Sequence, residues 1–422
     1  MHPPRRHLLQ LMALAAMPSL ARADAAAPFT DAAGLRADLA FIRDSIARLH
    51  PDPGFSADTA ALAAMLERLG QDLPATLNRD EAWRRLATLN PLLADGHFFI
   101  GYPNWRGAIR TRLADGGSLF PVEVAFDSSG KLVMAEAKAT RIVSIDGVDT
   151  ASLVPKLLAR THGDTPAFRT HLLAQRWAFF YWKLAGAPEV YRLVLERNGR
   201  RRKVDMPGSR VLPAYLRRED SFEDKFRLAI RPDGVAVLTV GSFSEPDPAP
   251  FLAFTRAAFA RIRDAGVRVL EIDISGNGGG DDALWLDGLM PYLASERYRT
   301  GSTWRGFERA SPDRVSEGEI STWRAPQSDN PLRFTGRVLV RIDPGSYSSA
   351  ILFANVMRDF GFATLVGAGG AARRSQSGGT RDVKLPHSGL LLTLPRFILD
   401  PPAGKAPGML LDAQPERSGE PI

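Results

Sequence analysis

Three short segments of this 422-residue chain hold residue types that could carry out acyl-transfer chemistry. In Gly345-Ser346-Tyr347-Ser348-Ser349-Ala350, at a strand-to-helix junction, a serine can cap the helix. It can also act as a nucleophile there, because the helix dipole and the unpaired N–H groups favour negative charge developing beside its oxygen. The segment is not a G-x-S-x-G elbow, since Ala350 takes the last position when the motif is centred on Ser348. Ile274-Ser275-Gly276-Asn277-Gly278-Gly279-Gly280-Asp281 is a glycine-rich turn, also between a buried strand and a helix. A dinucleotide loop would need glycine at 281, where Asp281 and Asp282 would instead repel a pyrophosphate. What remains is a tight turn, or a row of backbone N–H groups open to an oxyanion. Asp95-Gly96-His97 offers a base, or simply a structural histidine. His387 is the other candidate base, since His2 and His7 belong to an N-terminal signal, and His50, His162 and His171 have no catalytic neighbours in sequence.

The elements that must position these residues fall into an α/β, multi-domain pattern. Residues 1–23 read as a secretory signal: a basic start, an apolar stretch too short to span a bilayer, and Ala21-Arg22-Ala23 as a cleavage site. Arg5-Arg6 also fits a twin-arginine signal. The mature protein is therefore expected in the periplasm or secreted, with no integral membrane segment. Residues 24–115 form an N-terminal helical module, with Leu35, Leu39, Ile42 and Ile46 at helical spacing and Asn78…Glu81 as a capping box. Residues 116–207 turn to short alternating runs and are mostly strand, with one helix near 152–160. From 208 to 422 strands and helices alternate around a buried sheet. Within that core, 299–330 is polar and irregular, a loop long enough to suggest a function.

Composition narrows the chemistry. With no cysteine there is no disulfide framework, thiolate metal site or cysteine nucleophile. The formal charge of +7 falls to +4 once Arg5, Arg6 and Arg22 leave with the signal. The dense cluster Arg197, Arg200, Arg201, Arg202 and Lys203 surrounds Asn198-Gly199, a hairpin tip whose solvated charge needs no nucleic-acid partner.

Taken in order, these motifs resemble the C-terminal-processing (tail-specific) serine peptidases over most of residues 30–415. The shared pattern is a helical start ending in D-G-H, an Ile142 to Val148 element (I-V-S-I-D-G-V), a strand ending in D-x-x-x-N-x-G-G, and G-S-x-S-S-A. The resemblance implies a ClpP/crotonase-like catalytic core with a PDZ-like β domain. It sets the nucleophile on Ser348 and builds the oxyanion hole from Ser349 N–H with Gly278 or Gly279 N–H. The processing branch takes a lysine base about 25 residues after the serine, where this chain runs Val366-Gly367-Ala368-Gly369-Gly370-Ala371-Ala372-Arg373, and arginine is no base near neutral pH. The tricorn-like branch takes a histidine, matched by His97. That branch's serine before the histidine is Gly96 here, its late glutamate aligns near Lys405, and Ser275 replaces a usual arginine. Asp412 and Asp95 are the nominees for the third triad member. The implied activity is a serine endopeptidase acting on peptide or protein substrates without cofactor or metal. The rivals are a catalytically silent peptide- or ligand-binding protein on the same fold and a non-peptidase acyl hydrolase. A histidine base near its ordinary pKa of about 6.5 would make activity rise through pH 6–7.

Overall fold

Apolar strands alternating with amphipathic helices can bury both faces of a sheet only if the strands run parallel and the helices cross over. A computed structural model describes residues 30–307, 314–368, 372–405 and 408–410, and it has such a sheet. Phe226–Ile230, Val235–Val240, Val269–Asp273, Arg337–Ile342 and Thr364–Gly367 lie side by side in that order. The first pair is antiparallel and the other three are parallel. Leu238, Val240, Leu270, Ile272 and Val340 are fully buried in it. Helix Ser349–Asp359 is buried along Ser349 to Met357, so its N-terminus is fixed from every side. Register then places the chemistry: Asp273 pairs with Arg341, so the loops after these two neighbouring strands leave the same edge. At such an edge, beyond the carboxyl ends of parallel strands, open α/β sheets bind ligands.

The helices Ala32–Leu49, Thr59–Leu69 and Arg79–Leu86 follow the apolar spacing, and both halves of the Asn78/Glu81 capping box are made. The N-terminal region is not helical throughout. Phe99–Gly101 is a strand paired antiparallel with Leu391–Leu394, which itself pairs with Arg381–Lys384. The run Phe98-Phe99-Ile100 needs both apolar cover and backbone partners, and the C-terminal hairpin supplies them.

The middle region holds Val124–Phe126, Leu132–Met134, Ala137–Ile145, Val190–Arg197 and Arg200–Pro207 in one sheet, with Val148–Asp149 paired to the third of these. Asn198 and Gly199 both take positive φ (52° and 74°) at the tip of the last hairpin, as its right-handed twist requires. The expectation of a single helix is corrected. Thr150–Leu158 is followed by Pro166–Gln175 and Trp177–Ala185 before the chain returns to the sheet. Thr165 caps the second of these with Pro166 behind it, a start signal present in the sequence. The third is apolar on most sides because it is buried on most sides, which conceals its period.

The segment 299–330 is also more regular than expected. Thr303–Phe307 and Val315–Glu319 form an antiparallel ribbon joined to Phe397–Leu399. One face of Val315–Glu319 is exposed, so its sequence stays polar. The signal expected at 1–23 and Asp412 lie outside the described residues, among which no helix is long and apolar enough to cross a membrane.

Candidate active site

The strand-to-helix turn brings three serines within four residues, and their surroundings separate them. Ser346 is 1% exposed; its hydroxyl donates to Ile274 O at 2.7 Å and accepts Asp343 N–H at 3.1 Å. Ser349 is 2% exposed, donating to Asp282 Oδ1 and accepting Trp285 Nε1–H at 3.0 Å. Both hold loops and helices together. Ser348 stands at the helix N-cap but makes no capping bond, and its backbone is at φ 54°, ψ −124°. A non-glycine residue held there costs on the order of 1–3 kcal/mol, a strain typical of the turn that lifts a nucleophile out of the backbone. Its Oγ lies 3.0 Å from His97 Nε2.

His97 is held by the short helix Asn90–Leu93, which ends on Ala94 in the left-handed region, and by the Phe99–Gly101 strand. Buried Asn90 clamps that strand by accepting Ile100 N–H at 2.7 Å and donating to Ile100 O at 3.1 Å. Gly96 N–H donates to the Tyr347 hydroxyl at 2.9 Å, and a Cβ on Gly96 would come within 2.4 Å of the Tyr347 ring. Asp95 is not the direct partner of His97, since 3.9 Å separates its Oδ1 from Nδ1. Ser377, on strand Gln376–Gly378, stands between them: its Oγ is 3.2 Å from Nδ1 and donates to Asp95 Oδ1 at 2.8 Å. That single proton fixes the rest of the relay. With Ser377 donating to the carboxylate, its oxygen accepts Nδ1–H, and Nε2 presents its lone pair to Ser348.

Behind the relay lies a second carboxylate that the sequence motifs do not nominate. Tyr347 OH donates to Asp164 Oδ1 at 2.6 Å, and Arg373 N–H donates to Asp164 Oδ2 at 3.0 Å. The Arg373 guanidinium donates to Ala94 O at 2.8 Å and sits 3.6 Å from Asp164. Arg373 thus steadies the turn that carries His97. Burial pushes the Asp95 carboxyl up, and burial together with the nearby Asp95 charge raises Asp164 to about 6. Burial lowers His97 to about 4, which corrects the expectation of a base titrating near its ordinary value.

The glycine turn meets Ser348 from the other side. Tyr347 N–H donates to Asn277 O at 2.9 Å, and Gly276 N–H to Asp343 Oδ1 at 2.7 Å. Gly279 is at φ 96°, and a Cβ there would lie 2.6 Å from Ser348 Cβ and 2.8 Å from Tyr347 O, so only glycine allows this approach. Of the nominated oxyanion donors, Gly279 N–H is already given to Asn277 Oδ1 at 2.9 Å. Gly278 N–H and Ser349 N–H, the first amide of the helix, remain open among the described residues. Ser275 takes no part, its N–H donating to Asp273 Oδ1.

His387 and Lys384 lie elsewhere: His387 N–H is bound to Asp38, with its ring over Gly34, and Lys384 is exposed on an outer strand. Neither Ser377 nor Asp164 carries a motif that would have singled it out. Among the described residues no three His, Asp or Glu side chains converge as a metal site would require.

Residues 234–403 match the sequence profile of peptidase family S41. No curated protein matches the chain. A CPAF mutant structure superposes with a TM-score of 0.67 at 13% identity, covering 90% of this chain and 91% of that one. Mature CPAF complexed with lactacystin gives 0.63 at 13%, with 87% and 90% covered. The photosystem II D1 C-terminal processing protease gives 0.46 at 14%, with 88% and 89% covered. At such identities the likeness to CPAF is one of fold, and the profile match, which spans the parallel sheet, the glycine turn and the serine turn, makes residues 234–403 similar to peptidase family S41.

Proposed function

We propose that this chain is an exported serine peptidase of the S41 type, cleaving peptide bonds with Ser348 as nucleophile and His97 as base. The Ser348 Oγ attacks the scissile carbonyl carbon while its proton passes to His97 Nε2. Gly278 and Ser349 N–H groups receive the oxyanion. His97 then hands the proton to the leaving amine as the C–N bond breaks, and a water activated by the same nitrogen releases the acyl group. Ser377 and Asp95 hold the imidazole in the required tautomer and favour its charged form in the transition state. The observation that carries this reading is the 3.0 Å contact between Ser348 Oγ and His97 Nε2, made by a serine in a strained backbone. A silent binding protein would gain nothing from that strain. Export to the periplasm or outside the cell is supported by the signal pattern at 1–23.

Fluorophosphonate labelling tests the reading. Wild type labels on Ser348, and Ser348→Ala loses both labelling and on the order of a thousandfold or more in peptide turnover, with an unchanged fold. Labelling that survives Ser348→Ala and disappears with Ser346→Ala would overturn it.

A further inference from the structure

Two cavities meet at the candidate site, and different catalytic groups border them. One, of about 420 Å³, has His97 and Gly96 in its wall and none of the oxyanion glycines. The other, of about 880 Å³, is bordered by Gly278, Gly279 and Gly280 and lacks His97. They are divided by a stacked wall. The Arg106 and Arg176 guanidinium groups lie 4.5 Å and 4.9 Å from the Trp105 ring, and Glu219 grips Arg106 with bonds of 2.7 and 2.6 Å. Both arginines line both cavities.

The chemistry orients the substrate across this wall. The histidine that protonates the leaving amine must face the leaving fragment, and the oxyanion donors face the acyl carbonyl. The cavity that contains His97 is therefore on the leaving-group side. Its wall is aromatic, formed by Trp83, Phe99, Trp105, Phe179 and Phe180, and its size suits one large side chain with its backbone. Three guanidinium groups also line it, those of Arg106, Arg160 and Arg176; among the described residues Arg106 alone of the three is paired with a carboxylate by direct hydrogen bonds. Arg160 donates to Lys156 O, and burial lowers its pKa. The acid on this wall, Asp382, accepts Thr393 Oγ1–H at 2.7 Å from an exposed position. A lysine or arginine side chain would enter a pocket that already holds an excess of positive charge.

We infer that this cavity is the specificity pocket for the first residue of the leaving fragment, selecting a large aromatic or aliphatic side chain and rejecting lysine and arginine. The inference rests on the peptidase reading above for its direction. Acyl transfer reads the pocket directly. The acyl-enzyme formed from a peptide ester partitions between water and an added amino-acid amide, which must enter on the leaving-group side. Phenylalaninamide and leucinamide should intercept it at least about tenfold better than lysinamide, equivalent to about 1.4 kcal/mol. Trp105→Ala should bring that ratio to within about twofold, and Trp105→Phe should restore most of it. Fluorophosphonate labelling of each variant reports separately on the nucleophile. Equal interception by the three amides, or a preference that Trp105→Ala leaves intact, overturns the pocket assignment. If no acyl-enzyme forms, binding of the same amides to Ser348→Ala decides by calorimetry. Selective binding of phenylalaninamide keeps the pocket while the peptidase reading falls, and unselective or absent binding overturns the pocket.

Discussion

Replacing Ser377 with alanine removes one oxygen and breaks the relay at two points. The imidazole Nδ1–H loses its acceptor at 3.2 Å, and Asp95 Oδ1 loses the hydroxyl donor at 2.8 Å. Asp95 cannot take over, because 3.9 Å is beyond hydrogen-bond reach and His97 N–H already occupies the same oxygen at 2.7 Å. A hydrogen bond to a charged group contributes about 1.5–3 kcal/mol, and this one strengthens as the imidazolium forms, so kcat/KM should fall roughly 10- to 150-fold. The loss should appear in kcat rather than KM, since the relay touches no substrate. Ser377→Thr keeps the hydroxyl and should recover part of the rate if the extra methyl is accommodated. Asp95→Asn separates charge from geometry, because Asp95 Oδ2 has no partner among the described residues and can be exchanged for an amide while Oδ1 keeps its donors. It should lower kcat by a comparable factor. The assay is steady-state cleavage of a quenched fluorescent peptide, with circular dichroism confirming the fold. A Ser377→Ala enzyme within twofold of wild type in kcat would refute the relay and leave His97 oriented by its strand alone.

The same geometry sets further outcomes. Because burial lowers His97 to about 4, the acid limb of kcat/KM should lie near pH 4 to 5, and a limb at 6.5 would mean that the site is wetter than described. Stability should also fall as pH drops from 7 to 5. In that window the unfolded chain protonates His50 and His97 while the folded one, with both lowered to about 4, does not, at a cost on the order of 2 kcal/mol each by pH 5. Asp164, raised to about 6, binds its proton in the folded state and offsets about 1 kcal/mol of this, and His50→Gln should flatten the measured Tm against pH. Gly279→Ala drives a Cβ into Ser348 and Tyr347 and should cost activity on the order of a hundredfold. Lys384→Ala should cleave peptide at the wild-type rate, whereas His97→Ala should be nearly inactive, and the reverse pattern would return this chain to a lysine mechanism.

The serine turn and the glycine turn were legible in sequence because each is local: a strand, a few residues of restricted type, then a helix. The parallel sheet followed from the same alternation. Ser377 and Asp164 were not legible, because nothing near either residue marks it. Ser377 reaches His97 only because Gln376–Gly378 pairs with Phe397–Leu399, and Asp164 only because the inserted helices return it beneath Tyr347. Asp95 stands two residues before His97, yet its contact with that ring runs through a residue 282 positions away. The Thr165-Pro166 start signal was local and readable. It was obscured because the alternating strands around it set the expectation for the whole region.

The contacts around His97 support one another in space. Gly96 carries no side chain, and the Tyr347 ring fills the space beside it, 2.4 Å from where a Cβ would be. Tyr347 then binds Gly96 N–H and reaches Asp164, so the backbone beside the base is fixed by a phenol and a buried acid. With that place occupied, the hydroxyl that links histidine to carboxylate comes from the opposite strand, at Ser377, and the carboxylate comes from the base's own loop, at Asp95. Arg373 completes the arrangement. It cannot serve as a base, but it bonds the carbonyl of Ala94 and lies close to Asp164, partly balancing two acids packed against one imidazole. Without these partners the imidazole would stand unsupported in its buried position. Here each group stands within hydrogen-bond reach of the next, and the chain of contacts ends on the oxygen of Ser348.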